Sequence, residues 1–410
     1  MLNEIIYPVG KRVCITVRDL RLQGDYDLYI IPYMYPYDGR VRNRYPFTEY
    51  EKSAEGCKFY YTFEKFGRYS ICFLRKADIE NYFQLDENLL MREEVFAVDE
   101  KIPCPCLQKT DFHIHSTCSD GASPPEDICV YYRRAGFDAM AITDHNTMEG
   151  SETAIRIFKD YGGDMGIFLG EETHPEFFDP HIVNFAPRYS VNAKILSDLP
   201  AYKKKVEEYA REIGLTGSYA ASKADALLRV KMIRESGGIA IWAHPFWKVF
   251  VNSQDLDLID FMWENRVFDA LERIGGNTVE DNNFQQVYFS SQKEAVPCVA
   301  SSDSHSKDDL FNQFFTLVFS EKNDSESIKR AVLNGACVLA EQDAENAPVR
   351  LHGDFNQVQF ARFWLDTVMP RLREEYEFDA DGMAAISRGE KPSTAFKSIS
   401  RCKRNLVYKV

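Results

Sequence analysis

The sequence predicts an α/β chain in which a small all-β, sandwich-like domain precedes a larger domain of alternating strands and helices. Three observations predict it. Up to about residue 107 the apolar runs are short and rich in β-branched and aromatic residues. Beyond that point such runs alternate with amphipathic stretches of helical length. The chain's 410 residues also exceed the size at which one core usually stops growing.

The all-β expectation, for residues 1–107, rests on KRVCITVRDL, DYDLYIIPYMY, CKFYYTFEKF and RYSICFL, each bounded by Gly, Pro, Asp or Asn. Tyr26, Tyr29, Tyr33, Tyr35 and Tyr37 could form a carbohydrate-stacking surface. Aromatic enrichment is ordinary in strands, so core and strand-face packing is the preferred reading. In the joint IPCPC, Cys104 and Cys106 lack a second Cys or His pair at zinc-ribbon spacing and read as structural.

The larger domain is expected over residues 108–345. FHIHS ends a strand, and SPPEDICVYYRRAG is a helix with Ser123 as cap and Pro124 in its first turn. DAMAITDH is a buried strand, ETAIRIFKDYGG a helix closed by glycines, and MGIFLGEE the next strand. Residues 190–237 are polar and helix-prone and read as an insertion over one face. GGIAIWAHP, FDALERI and PCVASSDSH resume the strands, and FFTLVF, SESIKRAVLNG and CVLAEQ complete the unit. Residues 346–410, with QFARFWLDTVMPRLREEY, are expected to form a helical extension docked on the body.

Composition narrows the function. A hydrophobic fraction of 45% with 13% aromatics supports packed cores and excludes disorder. No run approaches the roughly 20 apolar residues that span a bilayer, so no membrane partner is expected. MLNEIIYPVGKRVC does not read as a signal peptide, and ten irregularly spaced cysteines read as reduced thiols, so a cytoplasmic location is expected. The net charge of −14 disfavours an extended footprint on long nucleic acid. It leaves room for a small anionic substrate, because bound cations can reverse a local field.

The chemistry-bearing residues cluster. Seven of the eight histidines lie between residues 113 and 305. His113 and His115 stand in DFHIHS, His145 in TDH, His174 in GEETH, His181 in PHIVNF, His244 in AHP and His305 in SSDSH. Asp120, Asp144, Glu171, Glu172 and Asp303 sit beside them. Alternate residues of a strand project to one face, so His113 and His115 aim together, as do Asp303 and His305. Asp144, Glu171, Glu172, His244 and Asp303 each end an apolar run, the edge at which parallel α/β folds build active sites. Imidazole and carboxylate donors together suit divalent Zn, Mn or Fe. One HxH is a weak signal and SDG is usually only a turn. Several such elements at successive strand ends point to a metal site.

The ordered series HxH, SDG, ITDH, GxE, HIV, AHP and SDSH resembles the PHP (polymerase and histidinol phosphatase) family over roughly residues 108–345, particularly its stand-alone phosphoesterase branch. The resemblance implies a distorted barrel of seven β/α units holding two to three divalent ions. It assigns His113, His115 and Asp303 to one ion and His181 and His244 to a second, with Glu172 bridging the two. Asp120, His145 and His305 would hold the third. GEE fits GxE with Glu172, not Glu171, as ligand. His174 and Asp144 have no ligand role in the pattern and fall to orienting ligands, contacting substrate or structural duty. The implied reaction is phosphoester hydrolysis by a metal-bridging hydroxide, acting on a small phosphorylated metabolite or nucleotide. Asp120, His145 and His305 are the implied catalytic group, and either histidine could protonate the leaving oxygen. Lys223, Lys248 and Arg188 are candidate phosphate contacts, although solvated surface charge is the commoner role for such residues. Two alternatives stand beside this expectation: hydrolysis of carboxylic or carbamate esters, and a regulatory protein holding metal for structure only.

Overall fold

The computed structural model describes residues 2–33, 46–76, 88–175, 179–247, 256–276, 279–292, 295–307, 313–344, 347–391 and 398–407. Two compact units emerge: Met1–Cys106 with Asp354–Leu372 and Ser400–Val410, and Leu107–Gly353 with Arg373–Ile399.

In the first unit, β1 (Ile6–Pro8), β3 (Tyr26–Pro32), β6 (Gly67–Arg75) and β7 (Leu89–Val98) form a sheet ordered β1-β7-β6-β3. A second sheet, ordered β2-β5-β4, is made of β2 (Arg12–Arg18), β4 (Tyr50–Ser53) and β5 (Gly56–Thr62). Strand periodicity sets the core: Val13, Ile15 and Val17 of β2 are buried while their neighbours are not. Tyr26 is buried, stacked on Tyr50 at 5.5 Å and edge-on to Phe73 at 5.4 Å. Tyr33 is exposed, and Tyr35 and Tyr37 lie outside the described residues. Cys104 and Cys106 are buried.

This unit is not all-β. Helix Phe355–Phe363 belongs to it and packs Phe360 and Phe363 on Phe96 at 5.2 and 5.4 Å. The backbone N–H groups of Ile5 and Ile6 donate to the Leu406 carbonyl at 2.7 and 3.0 Å. The expected 346–410 extension is therefore shared between the two units, because its apolar side chains find their partners in both.

The second unit holds the site. Its strands are β8 (Leu107–Asp111), β9 (Ala139–Ala141), β10 (Gly166–Phe168), β11 (Gly170–Thr173), β12 (Ile182–Phe185), β13 (Ile239–Trp242), β14 (Ala270–Ile274), β15 (Cys298–Ala300), β16 (Phe314–Phe319), β17 (Cys337–Glu341) and β18 (Arg350–His352). They form two mixed sheets, ordered β10-β9-β8-β16-β17-β18 and β11-β12-β13-β14-β15. Among the described residues neither sheet closes on itself, so the expected seven-unit barrel is not confirmed. The two meet at isolated parallel bridges, Ile114 with Ser304 and His145 with Glu172, both within the histidine motifs.

Nor are the sheets wholly parallel. The link from Thr173 to Ile182 is too short for a crossover helix, so β12 runs antiparallel to β11 and β13. The start of β12 consequently lies at the same edge as the ends of its neighbours, with Ile182 opposite both Thr173 and Trp242.

The first helix of this unit spans Pro125–Arg134, and its cap position is Pro124 with no side-chain cap, not Ser123. Pro124 precedes another proline and is held extended, at ψ 153, which excludes it from the first turn. Residues 190–237 fold as helices Val191–Leu196, Leu199–Glu212 and Ala220–Ser236, the last closed by Gly237 at φ 82. Ile195, Val206, Val230 and Ile233 from them join Trp242, Met262 and Phe268 in one core. Helix Arg373–Ser387 is tied down by buried polar contacts: Arg133 Nε donates to Asp379 at 2.6 Å and Tyr376 Oη to Asp138 at 2.7 Å. Among the described residues no helix is long and apolar enough to cross a membrane.

Candidate metal centre

All nine residues of the expected ligand set converge at one edge of the second unit's sheets. His113 and His115 follow β8, His145 follows β9, Glu172 lies in β11, His181 precedes β12, His244 follows β13, and Asp303 and His305 follow β15. The reversal of β12 explains how a residue before a strand joins residues that come after strands.

Glu172 stands at the middle and is fully buried. Its Oε1 faces His181 Nδ1 at 2.9 Å and His244 Nε2 at 3.2 Å. Its Oε2 faces His145 Nδ1 at 2.8 Å, His113 Nε2 at 3.3 Å and His115 Nε2 at 3.4 Å. Despite these distances, Oε2 makes no hydrogen bond of acceptable geometry. Asp303 adds Oδ1 at 3.0 Å from His115 Nε2 and 3.3 Å from His113 Nε2. Those two Nε2 atoms are themselves 3.1 Å apart. On the open side, Asp120 Oδ2 lies 3.4 Å from His145 Nε2 and 3.3 Å from His305 Nε2, and its Oδ1 is 3.6 Å from His115 Nδ1.

This arrangement fits divalent cations. An orphaned, buried carboxylate oxygen and two imidazole nitrogens facing each other are costly unless a positive charge satisfies them. Ligand atoms come within 4.8 Å of one another in four groups: His113 with His115 and Glu172; His113 with His244 and Asp303; His145 with Glu172 and His181; and His115 with Asp120, His145 and His305. His115 thus reaches both the buried and the exposed groups, whereas the sequence pattern placed it in one.

The electrostatics reflect the crowding. Burial opposes charge on His145, but the nearby Asp120 and Glu172 carboxylates prevail and raise it to about 10. His305 is raised to about 8 against its burial, mainly by Asp120. His174 is pushed down to about 3 by burial and by the neighbouring His181.

Further residues support the site, some named in the sequence reading and some not. Asp144, left there among orienting, substrate-contact and structural roles, accepts from Ser116 N at 2.7 Å, Ser116 Oγ at 2.6 Å and Ser119 Oγ at 2.7 Å, pinning the turn that carries Asp120. Gly121 in that turn is needed because a Cβ would lie 2.4 Å from the His115 carbonyl oxygen. Glu171 points away from Glu172, as alternation along β11 requires. It accepts from Asn184 at 2.8 Å, Ser190 Oγ at 2.5 Å and Val191 N at 2.7 Å, capping helix Val191–Leu196. His174 Nε2 is 2.7 Å from His145 Nδ1, and its ring stacks on His181 at 4.3 Å. Arg229 is buried, paired with Asp225, and donates to the carbonyls of Thr173 and, at 2.7 Å, Pro180. It clamps both ends of the segment bearing His174 and His181. Glu272, in FDALERI, stands behind His113. Its signal in the sequence was an acid within the strand ALERI.

The expected phosphate contacts are not among these. Lys223 pairs with Asp257 at 2.7 Å, and Arg188 donates to the carbonyls of Ser236 and Glu235 at 3.2 and 3.0 Å. Lys248 lies outside the described residues. Beside the site an open cavity of about 530 Å³ is lined by Asn146, Thr147, Glu149, Glu152, Arg156 and Ser190, among others.

Residues 111–221 match the family model described as "PHP domain". A 5'-3' exoribonuclease of Haemophilus influenzae is 27% identical over 123 residues, which are 28% of this chain and 45% of that protein. The chain thus matches less than half the length of this curated relative. A solved two-domain protein of Bacteroides vulgatus, described as containing a predicted PHP-like metal-dependent phosphoesterase, is 16% identical with a TM-score of 0.42. That match covers 63% of this chain and 70% of the other. An amidohydrolase of Chromobacterium violaceum is 18% identical with a TM-score of 0.32, covering 48% and 88% of the two chains.

Proposed function

Taking residues 111–221 as a PHP domain, we propose that this chain is a metal-dependent phosphoesterase acting on a small phosphorylated metabolite or nucleotide. One observation carries the reading. The two oxygens of buried Glu172 face different imidazoles, Oε1 those of His181 and His244 and Oε2 those of His145 and His113, which would suit a carboxylate shared by adjacent cations. His113, His115 and Asp303 would hold one ion, His181 and His244 a second, with Glu172 between them, and Asp120, His145 and His305 a third. When bound, Mn, Fe or Zn ions supply a nucleophilic water at neutral pH and stabilise charge on phosphoryl oxygens.

The chain's own residues divide the remaining work. Buried His113, Glu172 and His244 keep bulk water from the rear of the site. Asp120, with its side chain 53% exposed, and His305, 36% exposed, form the side at which substrate enters. There His305 Nε2 is placed to give a proton to the leaving oxygen when it is not engaged by a cation. The cavity along Asn146 and Arg156 accommodates the part of the substrate remote from phosphorus.

Three carboxylates against up to three divalent ions leave the centre cationic, which suits a phosphate whose charge spreads over three oxygens better than a carbonyl developing one. The exoribonuclease relative supports a second reading, removal of nucleotides from an RNA end. The net charge of −14 weighs against a long RNA footprint. The test is a panel of phosphate monoesters, diesters, short RNA and matched carboxylic and carbamate esters, assayed with metal-loaded protein. Preference for carbon esters together with no inhibition by inorganic phosphate would overturn the proposal. Turnover confined to RNA would select the second reading.

A further inference from the structure

Glu272 lies in the strand Ala270–Ile274, and its carboxylate is fully buried behind the candidate metal centre. Its Oε2 lies 3.0 Å from His113 Nδ1. A carboxylate there selects the tautomer with hydrogen on Nδ1 and leaves the Nε2 lone pair pointing at His115, Glu172 and Asp303. Its Oε1 lies 3.4 Å from the backbone N–H of His244, a residue held at φ 25. A single acid thus touches one candidate ligand through its ring and another through its backbone.

The surroundings are built to hold it. The pairing register of β14 with β15 shifts between Glu272 and Ile274, an irregularity that re-aims side chains. Gln285 Nε2 donates to the Glu272 carbonyl at 2.7 Å. At Gly275 a Cβ would come within 2.2 Å of Glu272 Oε1. Gly275 is itself fixed from both sides by Asn282, which accepts from its N–H at 3.1 Å and donates to its carbonyl at 2.9 Å. A side chain at 275 must therefore displace the carboxylate, since the backbone cannot retreat.

We propose that Glu272 is a positioning residue that aims His113 and braces His244 toward a bound cation, and that Gly275 provides the space this requires. The inference rests on the reading of the centre as a metal site. Removing Glu272 also removes a charge. Gly275→Ala keeps the charge and moves it, so the pair of variants separates position from charge.

The test compares wild type, Glu272→Ala, Glu272→Gln, Gly275→Ala and the Glu272→Ala/Gly275→Ala double variant. Each is loaded with Mn or Zn and titrated with a chelator, and retained metal per chain is read directly. Circular dichroism and the melting of metal-free protein report the fold. Glu272→Ala and Gly275→Ala should each weaken the most sensitive ion roughly 10- to 100-fold, the range for partners that orient ligating histidines. The double variant should be no weaker than Glu272→Ala alone, because Gly275 acts only through that carboxylate. Glu272→Gln, which keeps an acceptor in place, should fall between wild type and Glu272→Ala. Should Gly275→Ala fail to fold, the order of wild type, Gln and Ala at 272 decides the matter. Chelator resistance unchanged in folded Glu272→Ala, or multiplying effects in the double variant, would overturn the inference while leaving the metal site intact. Wild type that binds no ion would remove the site reading and this inference with it.

Discussion

Neutralising Asp120 should loosen one ion, and neutralising Glu172 should eject metal altogether. Both residues lose one charge in Asp120→Asn and Glu172→Gln, and the difference comes from burial. Asp120 Oδ2 stands 3.3–3.4 Å from its histidine nitrogens with its side chain 53% exposed, while Glu172 Oε2 stands at 2.8–3.4 Å and is fully buried. At a charge-to-ion separation of about 3.4 Å a unit charge and a divalent ion interact by about 2.4 kcal/mol in a water-like medium and about 10 kcal/mol at an effective dielectric of 20. The exposed acid belongs near the first value, which is roughly a 50-fold change in Kd, and the buried acid near the second, which no working metal concentration offsets. Turnover in Asp120→Asn should fall about 10²- to 10³-fold, since an electrostatic contact at the reacting group is lost. Metal content after gel filtration, a chelator titration and steady-state rates on an aryl phosphate are the assays. If both variants release the same metal at the same chelator concentration, the ranking by burial is wrong. If Asp120→Asn keeps turnover within twofold, Asp120 does not belong to the site.

Three further outcomes follow from the same coordinates. Asp144→Ala strips the turn at Ser116–Ser119 of three hydrogen bonds and should cost about 1–3 kcal/mol of stability, with a drop in turnover but retention of the buried ions; an unchanged melting temperature would refute it. Asp379→Ala leaves Arg133 buried without its closest partner and should destabilise by about 3–5 kcal/mol, read by denaturant titration, whereas a loss under 1 kcal/mol would mean that Asp164 suffices. In metal-stripped protein His145, raised to about 10, and His305, raised to about 8, contribute stability that is complete below their unfolded value of about 6.5 and is lost as pH rises through the folded values. Melting temperature should therefore fall from pH 6.5 to 10 in stripped protein, while metal affinity rises as protons leave the imidazoles. A flat stripped profile would refute the assignment of those shifts.

The sequence by itself determined which side chains could form the centre. Metal donors are chemically conspicuous, and a strand that ends in His, Asp or Glu after an apolar run declares both its period and its reactive edge. His113, His115, Glu172, His244 and Asp303 were legible for that reason, and Glu172 could be told from Glu171 by the resemblance alone. Tertiary structure decided the rest. The reversal of β12, which brings His181 to the site from the start of a strand, depends on how a short link pairs. The two open sheets depend on which edges hydrogen-bond. Partner choice is equally invisible in one dimension: Lys223 and Arg188 read as candidate phosphate contacts or as surface charge, and only the fold shows Asp257 beside the one and the Ser236 carbonyl beside the other. Glu272 and Arg229 carry no motif because their work is to hold other residues, and only the fold shows what lies 3 Å away from a buried charge. Motifs record what a residue is able to bind, whereas burial and pairing determine what it binds.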